Sequence, residues 1–78
     1  MTHMQRALLL IKSKSLTDVN LFNKIKVTQG IIEAKMIYGP YDFYTLCQDQ
    51  STMGIKKIVM EIRNLPGVVS TMTCLISE

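Results

Sequence analysis

The sequence predicts a small α+β domain in the order strand, helix, strand, strand, helix, strand. Three observations predict it. The run Ala7-Leu8-Leu9-Leu10-Ile11 is apolar without alternation and is bounded by Arg6 and by Lys12-Ser13-Lys14. Such a run reads as a strand buried on both faces. Two later stretches place apolar residues at helical spacing, each followed by a glycine and a second apolar run. Finally, those stretches match at an offset of 37 residues: Leu21 falls on Ile58, Phe22 on Val59, Ile25 on Ile62, Gly30 on Gly67 and Ile31 on Val68. Two helix-glycine-strand units share one register. That is the pattern of the split β-α-β or ferredoxin-like fold, a four-stranded antiparallel sheet with both helices on one face.

Each element has its own local reason. Ser15 to Asp18 offers a helix start, with serine or threonine as cap and Asp18 in the first turn. Val19, Leu21, Phe22 and Ile25 form the apolar stripe, and Gly30 closes the helix. Ile31 to Tyr38 alternates imperfectly and reads as the second strand. Gly39-Pro40 is a turn, and Asp42 to Cys47 is the third strand. Asp49 and Ser51 mark the next start. Ile55, Ile58, Val59, Ile62 and Leu65 then repeat at helical spacing until Asn64-Leu65-Pro66-Gly67 stops the helix. Val68 to Ser77 is the last strand.

At 78 residues and 8.9 kDa, the chain has room for one domain, taken as 5–78. Residues 1–4 are set apart as an N-terminal extension, disordered or left from cloning. This length excludes a separate cofactor module or a DNA reader joined to a sensor. Apolar residues make up 47% and charged residues only 19%, with a mean hydropathy of +0.19. So small a body leaves part of that apolar surface outside, and two helices cover only one sheet face. The first strand is apolar on both faces, and the third carries Tyr44 and Leu46 against Phe43 and Cys47. The open face needs a partner, most simply a second copy packed sheet to sheet. The net charge of +3 comes from scattered lysines and arginines and reads as solvated surface. There is no 18-residue apolar span and no secretory signal, so a cytoplasmic location is expected, with no membrane.

Few residues carry the marks of catalytic or metal chemistry. His3, the single histidine, sits at the terminus, so nucleophilic triads are not expected. The four glycines are isolated and make no phosphate loop. Acylphosphatases share the topology, but their basic, glycine-rich loop is missing after the first strand. Cys47 and Cys74 form no Cys-x-x-Cys pair, which disfavours the small metal chaperones of this fold. In strand order 4-1-3-2 the first strand separates them by about 9–10 Å, too far for a disulfide. Both are expected to be buried free thiols. The methionines read as core or interface fillers. Phe43 and Tyr44 lack the basic-glycine-aromatic signature of RNA-recognition modules, so no direct nucleic-acid contact is expected. No metal site and no cofactor are expected.

One constellation remains, Gly39-Pro40-Tyr41-Asp42. Glycine lets a ligand come close, Tyr41 offers an aromatic wall, and Asp42 an acceptor for an ammonium group. The simpler reading is a hairpin turn whose aspartate bonds its own backbone.

The sequence resembles the effector-binding (RAM) domain of Lrp/AsnC transcriptional regulators. The resemblance runs from about Gln5 to Glu78. It rests on the opening strand, the Gly30-Ile31-Ile32-Glu33-Ala34 helix exit, the Gly39-Pro40-Tyr41-Asp42-Phe43 turn, and Asn64-Leu65-Pro66-Gly67-Val68 leading into Thr71-Met72-Thr73. It implies sheets that pair into a dimeric α/β barrel, and dimers that assemble into tetramers, octamers or decamers. It also implies a free amino acid as effector, bound between dimers beside the turn. By motif match Gly39, Tyr41 and Asp42 are the expected ligand binders, with Asp42 toward the amino group. Thr71 and Thr73 join them as weaker candidates whose hydroxyls meet a carboxylate or finish a strand face. The family's helix-turn-helix is absent, so the chain resembles the stand-alone RAM modules of prokaryotes, archaea in particular.

The expectation is therefore an oligomeric amino-acid-sensing module, not an enzyme, regulating transcription or amino-acid metabolism through partners such as full-length Lrp/AsnC-type regulators. Two alternatives stand beside it. One is a small dimeric α/β-barrel enzyme, which needs a cleft inside the subunit lined by ionisable groups. The other is a structural assembly or adaptor module, which needs no pocket.

Overall fold

The computed structural model describes residues 4–15 and 18–77. His3 and the Leu16-Thr17 part of the expected helix start lie outside them. The elements are β1 (Gln5–Ser13), α1 (Val19–Lys26), β2 (Ile31–Met36), β3 (Phe43–Asp49), α2 (Thr52–Arg63) and β4 (Val68–Ile76). The sheet is antiparallel throughout, in the order β2-β3-β1-β4. This is the expected ferredoxin-like βαββαβ topology.

Alternation sorts the sheet into two faces. Ala7, Leu9 and Ile11 of β1 point to the helices, as do Phe43, Thr45 and Cys47 of β3. With Leu21 and Ile25 of α1 and Ile55, Ile58 and Ile62 of α2 they form a closed core. Burying each large apolar side chain among them contributes about 1.5–3 kcal/mol. The polar members are satisfied in place: the Thr45 hydroxyl donates to the Leu9 carbonyl at 3.1 Å, and the Cys47 thiol to the Ala7 carbonyl at 3.5 Å.

The offset of 37 residues is visible bond by bond. After α1, Val27, Thr28 and Ile31 donate their N–H groups to Asn23, Ile25 and Thr28; after α2, Asn64, Leu65 and Val68 donate to Met60, Ile62 and Leu65. Gly30 and Gly67 occupy the same step with φ of 98° and 100°. At Gly30 a side chain is excluded twice: by this φ, and because a Cβ would collide with Ile58 of α2.

Local boundaries differ from expectation for identifiable reasons. Asp18 is itself the cap of α1, accepting the Leu21 N–H at 2.9 Å, and so lies before the first turn. The helix stops at Lys26, four residues before Gly30, because the chain must turn back through Thr28 to enter β2. Ser51 caps α2, accepting from Gly54 at 3.0 Å. Cys74 departs from the expected burial. It pairs with Leu8 on the face away from the helices and is exposed, whereas Cys47 pairs with Ala7 inside. An edge strand with one uncovered face cannot bury its thiol.

Candidate functional site

The turn between β2 and β3 is tied to the rest of the sheet by its last residue. Ile37 donates to the Asp42 carbonyl and Asp42 donates to the Ile11 carbonyl, both at 2.9 Å. Asp42 is only 2% exposed. Its Oδ2 accepts the Ser13 backbone N–H at 2.7 Å and stands 3.1 Å from the Ser13 hydroxyl. That hydroxyl also lies 2.6 Å from the Ser15 carbonyl, so one proton is shared between two acceptors. Asp42 Oδ1 is buried with no hydrogen-bond partner. The aspartate thus bonds the end of β1, not the backbone of its own turn.

The other members of the turn are outside. Gly39 has φ of 137° and nothing within reach of a Cβ, so its backbone angle alone favours glycine there. Tyr38 and Pro40 are exposed and Tyr41 is half-buried. Thr71 and Thr73 lie on β4 opposite Ile11 and Leu9, with side chains on the helix side. Ile11 therefore stands between Asp42 and Thr71. One protomer brings Asp42 to one side of β1 and the threonines to the other; it does not gather all five residues around one cavity. Ser13 is the participant that the sequence did not reveal, and no local signal marks it, because its partner is 29 residues away.

The face turned from the helices carries Leu8 and Leu10 of β1, Tyr44 and Leu46 of β3, and Met72, Cys74 and Ile76 of β4. Met72 is 47% exposed and Ile76 39%. The Tyr44 hydroxyl donates to Glu33 on this face. That bond, then desolvation and the charge of Glu33, raise the Tyr44 pKa above its ordinary value. Burial raises that of the Cys47 thiol. Among the described residues no three acidic, histidine or cysteine side chains stand together as metal ligands. Between the central strands and the helices lies the apolar core; among the described residues an open groove remains between α2 and β4, mostly apolar, with Lys56 and Arg63 on its rim. No helix among the described residues is long and apolar enough to cross a membrane.

No family model matches the chain, and no curated protein matches it. Solved structures do. TTHA0845 from Thermus thermophilus is 25% identical, with a TM-score of 0.88 over 95% of this chain and 94% of that one. AsnC of E. coli is 18% identical, with a TM-score of 0.87 over 95% of this chain, which spans 51% of AsnC. The same fold also occurs in NapD, a Tat proofreading chaperone of E. coli, at 15% identity and a TM-score of 0.81 over 99% of this chain and 81% of that one. In fold, then, this chain resembles the effector-binding domain of the Lrp/AsnC proteins.

Proposed function

We propose that this chain is an oligomeric module that senses a free amino acid. It would act on transcription or amino-acid metabolism in the cytoplasm through partner proteins, full-length Lrp/AsnC-type regulators among them, rather than by reading DNA. The observation that carries the reading is the unpaired oxygen of Asp42. A buried carboxylate with one lone oxygen costs free energy that an ammonium group would recover. Asp42 stands in the turn that, by the sequence's resemblance to the Lrp/AsnC effector-binding domain, would meet the effector. In this reading Gly39 lets the ligand approach, Tyr41 forms a wall, and Thr71 and Thr73, supplied across an assembly contact, meet its carboxylate. Oδ1 is sealed within the protomer, so the turn 38–41 must shift for the ligand to enter. The exposed Tyr38, Gly39 and Pro40 leave it free to do so.

A second reading, an assembly or adaptor module without effector, is favoured by that same sealing of Oδ1. One experiment separates them. The chain is titrated with each common amino acid at millimolar concentration while melting temperature and light scattering are followed. A sensor gains stability with one of them or changes assembly state, and Asp42→Asn removes the response. No response to any amino acid leaves the adaptor.

A further inference from the structure

We propose that the groove between α2 and β4 binds a carboxylate carrying an unbranched apolar body, with Arg63 holding its head. Thr52, Ile55, Lys56, Val59, Met60 and Arg63 recur every three or four residues and form one face of α2. That face is about 16 Å long at 1.5 Å per residue. Thr73 and Leu75 of β4 make the opposite wall, and the groove between them encloses about 480 Å³. This lies inside the range of small-molecule sites. Its apolar walls are unfinished: Met60 is 54% exposed and Leu75 57%.

A second hollow of about 310 Å³ continues from it, lined by Arg63, Val68, Val69, Ser70 and Thr71. Arg63 belongs to both. One guanidinium therefore stands where an apolar groove meets a second hollow, on the side of the sheet that Thr71 faces. Lys56 and Arg63 are the charged residues lining the two hollows, and both are basic. Neither has a side-chain hydrogen bond or ion pair among the described residues.

This distribution selects the ligand. The carboxylate pairs with the Arg63 fork and accepts from the Thr71 hydroxyl on the helix side. The body lies along Val59, Met60 and Leu75. A peptide fits worse, because its amides would meet only the hydroxyls of Thr52 and Thr73 along an apolar wall. A free amino acid also fits worse, since no acidic residue lines the groove to receive its ammonium. Thr71, Thr73 and Leu75 face the helix side, so the site lies across the sheet from the open apolar face.

Decanoate is the probe, followed by NMR of methionine methyl groups. Saturable shifts of Met60 with an undisturbed Met72, on the opposite face, are expected. Arg63→Ala should weaken decanoate by about tenfold or more, Arg63→Lys less, and decanol should bind the native chain about tenfold more weakly than decanoate. Arg63 is exposed, so its loss leaves the core intact. Equal responses of Met60 and Met72 would mean adsorption to any apolar surface and would overturn the site. So would undiminished binding by the Arg63→Ala variant, or a change of its oligomeric state, which would assign the groove to a second copy. Thr71 and Thr73 also serve the amino-acid reading, so Arg63→Ala separates the two: it should lose decanoate and keep the response to an amino acid, and loss of both together would merge the sites and overturn the proposal.

Discussion

Asp42 and Ser13 extend the pairing of the two central strands: Asp42 Oδ2 accepts the Ser13 N–H at 2.7 Å just beyond the bond from Asp42 N–H to the Ile11 carbonyl. A side chain thus continues the β1–β3 ladder where β3 has already bent into its turn. Removing it leaves a buried donor unpaired. Asp42→Ala should cost about 1–3 kcal/mol in urea unfolding. Asp42→Asn keeps an amide oxygen toward Ser13 and should cost less. Equal losses for the two would show that the Ser13 N–H needs the charged acceptor, and not merely an oxygen at that place.

The glycines at positions 30 and 39 share a positive φ but not an environment. Gly39→Ala meets open space and should cost only backbone strain, about 1–3 kcal/mol. Gly30→Ala adds a collision with Ile58, whose side chain is packed in the core and cannot retreat. It should cost several times the loss at Gly39, or prevent folding. Thermal melts of the two variants check the order.

The two thiols should differ in reactivity. Cys47 is buried, bonded to Ala7, and shifted upward by desolvation, so little thiolate forms at neutral pH. Cys74 is exposed on the open face. In dilute solution iodoacetamide should label Cys74 alone, and Cys47 only with unfolding. The shift also has a sign in stability. The preference for a neutral Cys47 is fully present below its unfolded pKa. It is lost as pH rises through the higher folded value, so alkaline solution should favour unfolding. A Cys47→Ala variant should show a flatter decline there.

Most of the fold was legible because it rests on local period. The stripe Ile55, Ile58, Ile62 and the repeat at 37 residues need no knowledge of distant neighbours. What was hidden depends on partners far along the chain. Asp42 reads as a turn residue until β1 brings Ser13 to it. Cys74 reads as buried because β4 is apolar, yet β4 is an edge strand and one of its faces is uncovered. Arg63 reads as one of the scattered basic residues of a solvated surface; only the placement of β4 beside α2 turns it into the junction of two hollows.

Tyr44 and Glu33 give the open face a dependence on pH. The phenol donates to the carboxylate, and that bond, more than desolvation or the charge of Glu33, holds its pKa above the ordinary value. Its stabilising effect is complete below the unfolded pKa of about 10 and disappears as pH rises through the folded value. In Glu33→Gln, phenolate absorbance should appear at lower pH than in the native chain. An unchanged titration would mean that Glu33 does not hold the proton.

The open sheet face makes the strongest demand on assembly. Leu8, Leu10, Tyr44, Leu46, Met72 and Ile76 stand together there, opposite a fully packed core. Contiguous apolar surface of this kind on so small a body is a feature of interfaces, and a two-fold pairing of identical faces would cover it with no other partner. Leu10 and Met72 are direct neighbours across β1 and β4. Met72→Asp puts a charge in the middle of that patch without touching the helix side. Light scattering at micromolar concentration should give a dimer or larger assembly for the native chain and a folded monomer for the variant. Labelling of Cys74 should slow as the native protein is concentrated and stay fast in the variant. A native chain that remains monomeric at micromolar concentration would contradict the pairing. It would leave the apolar face to a different protein.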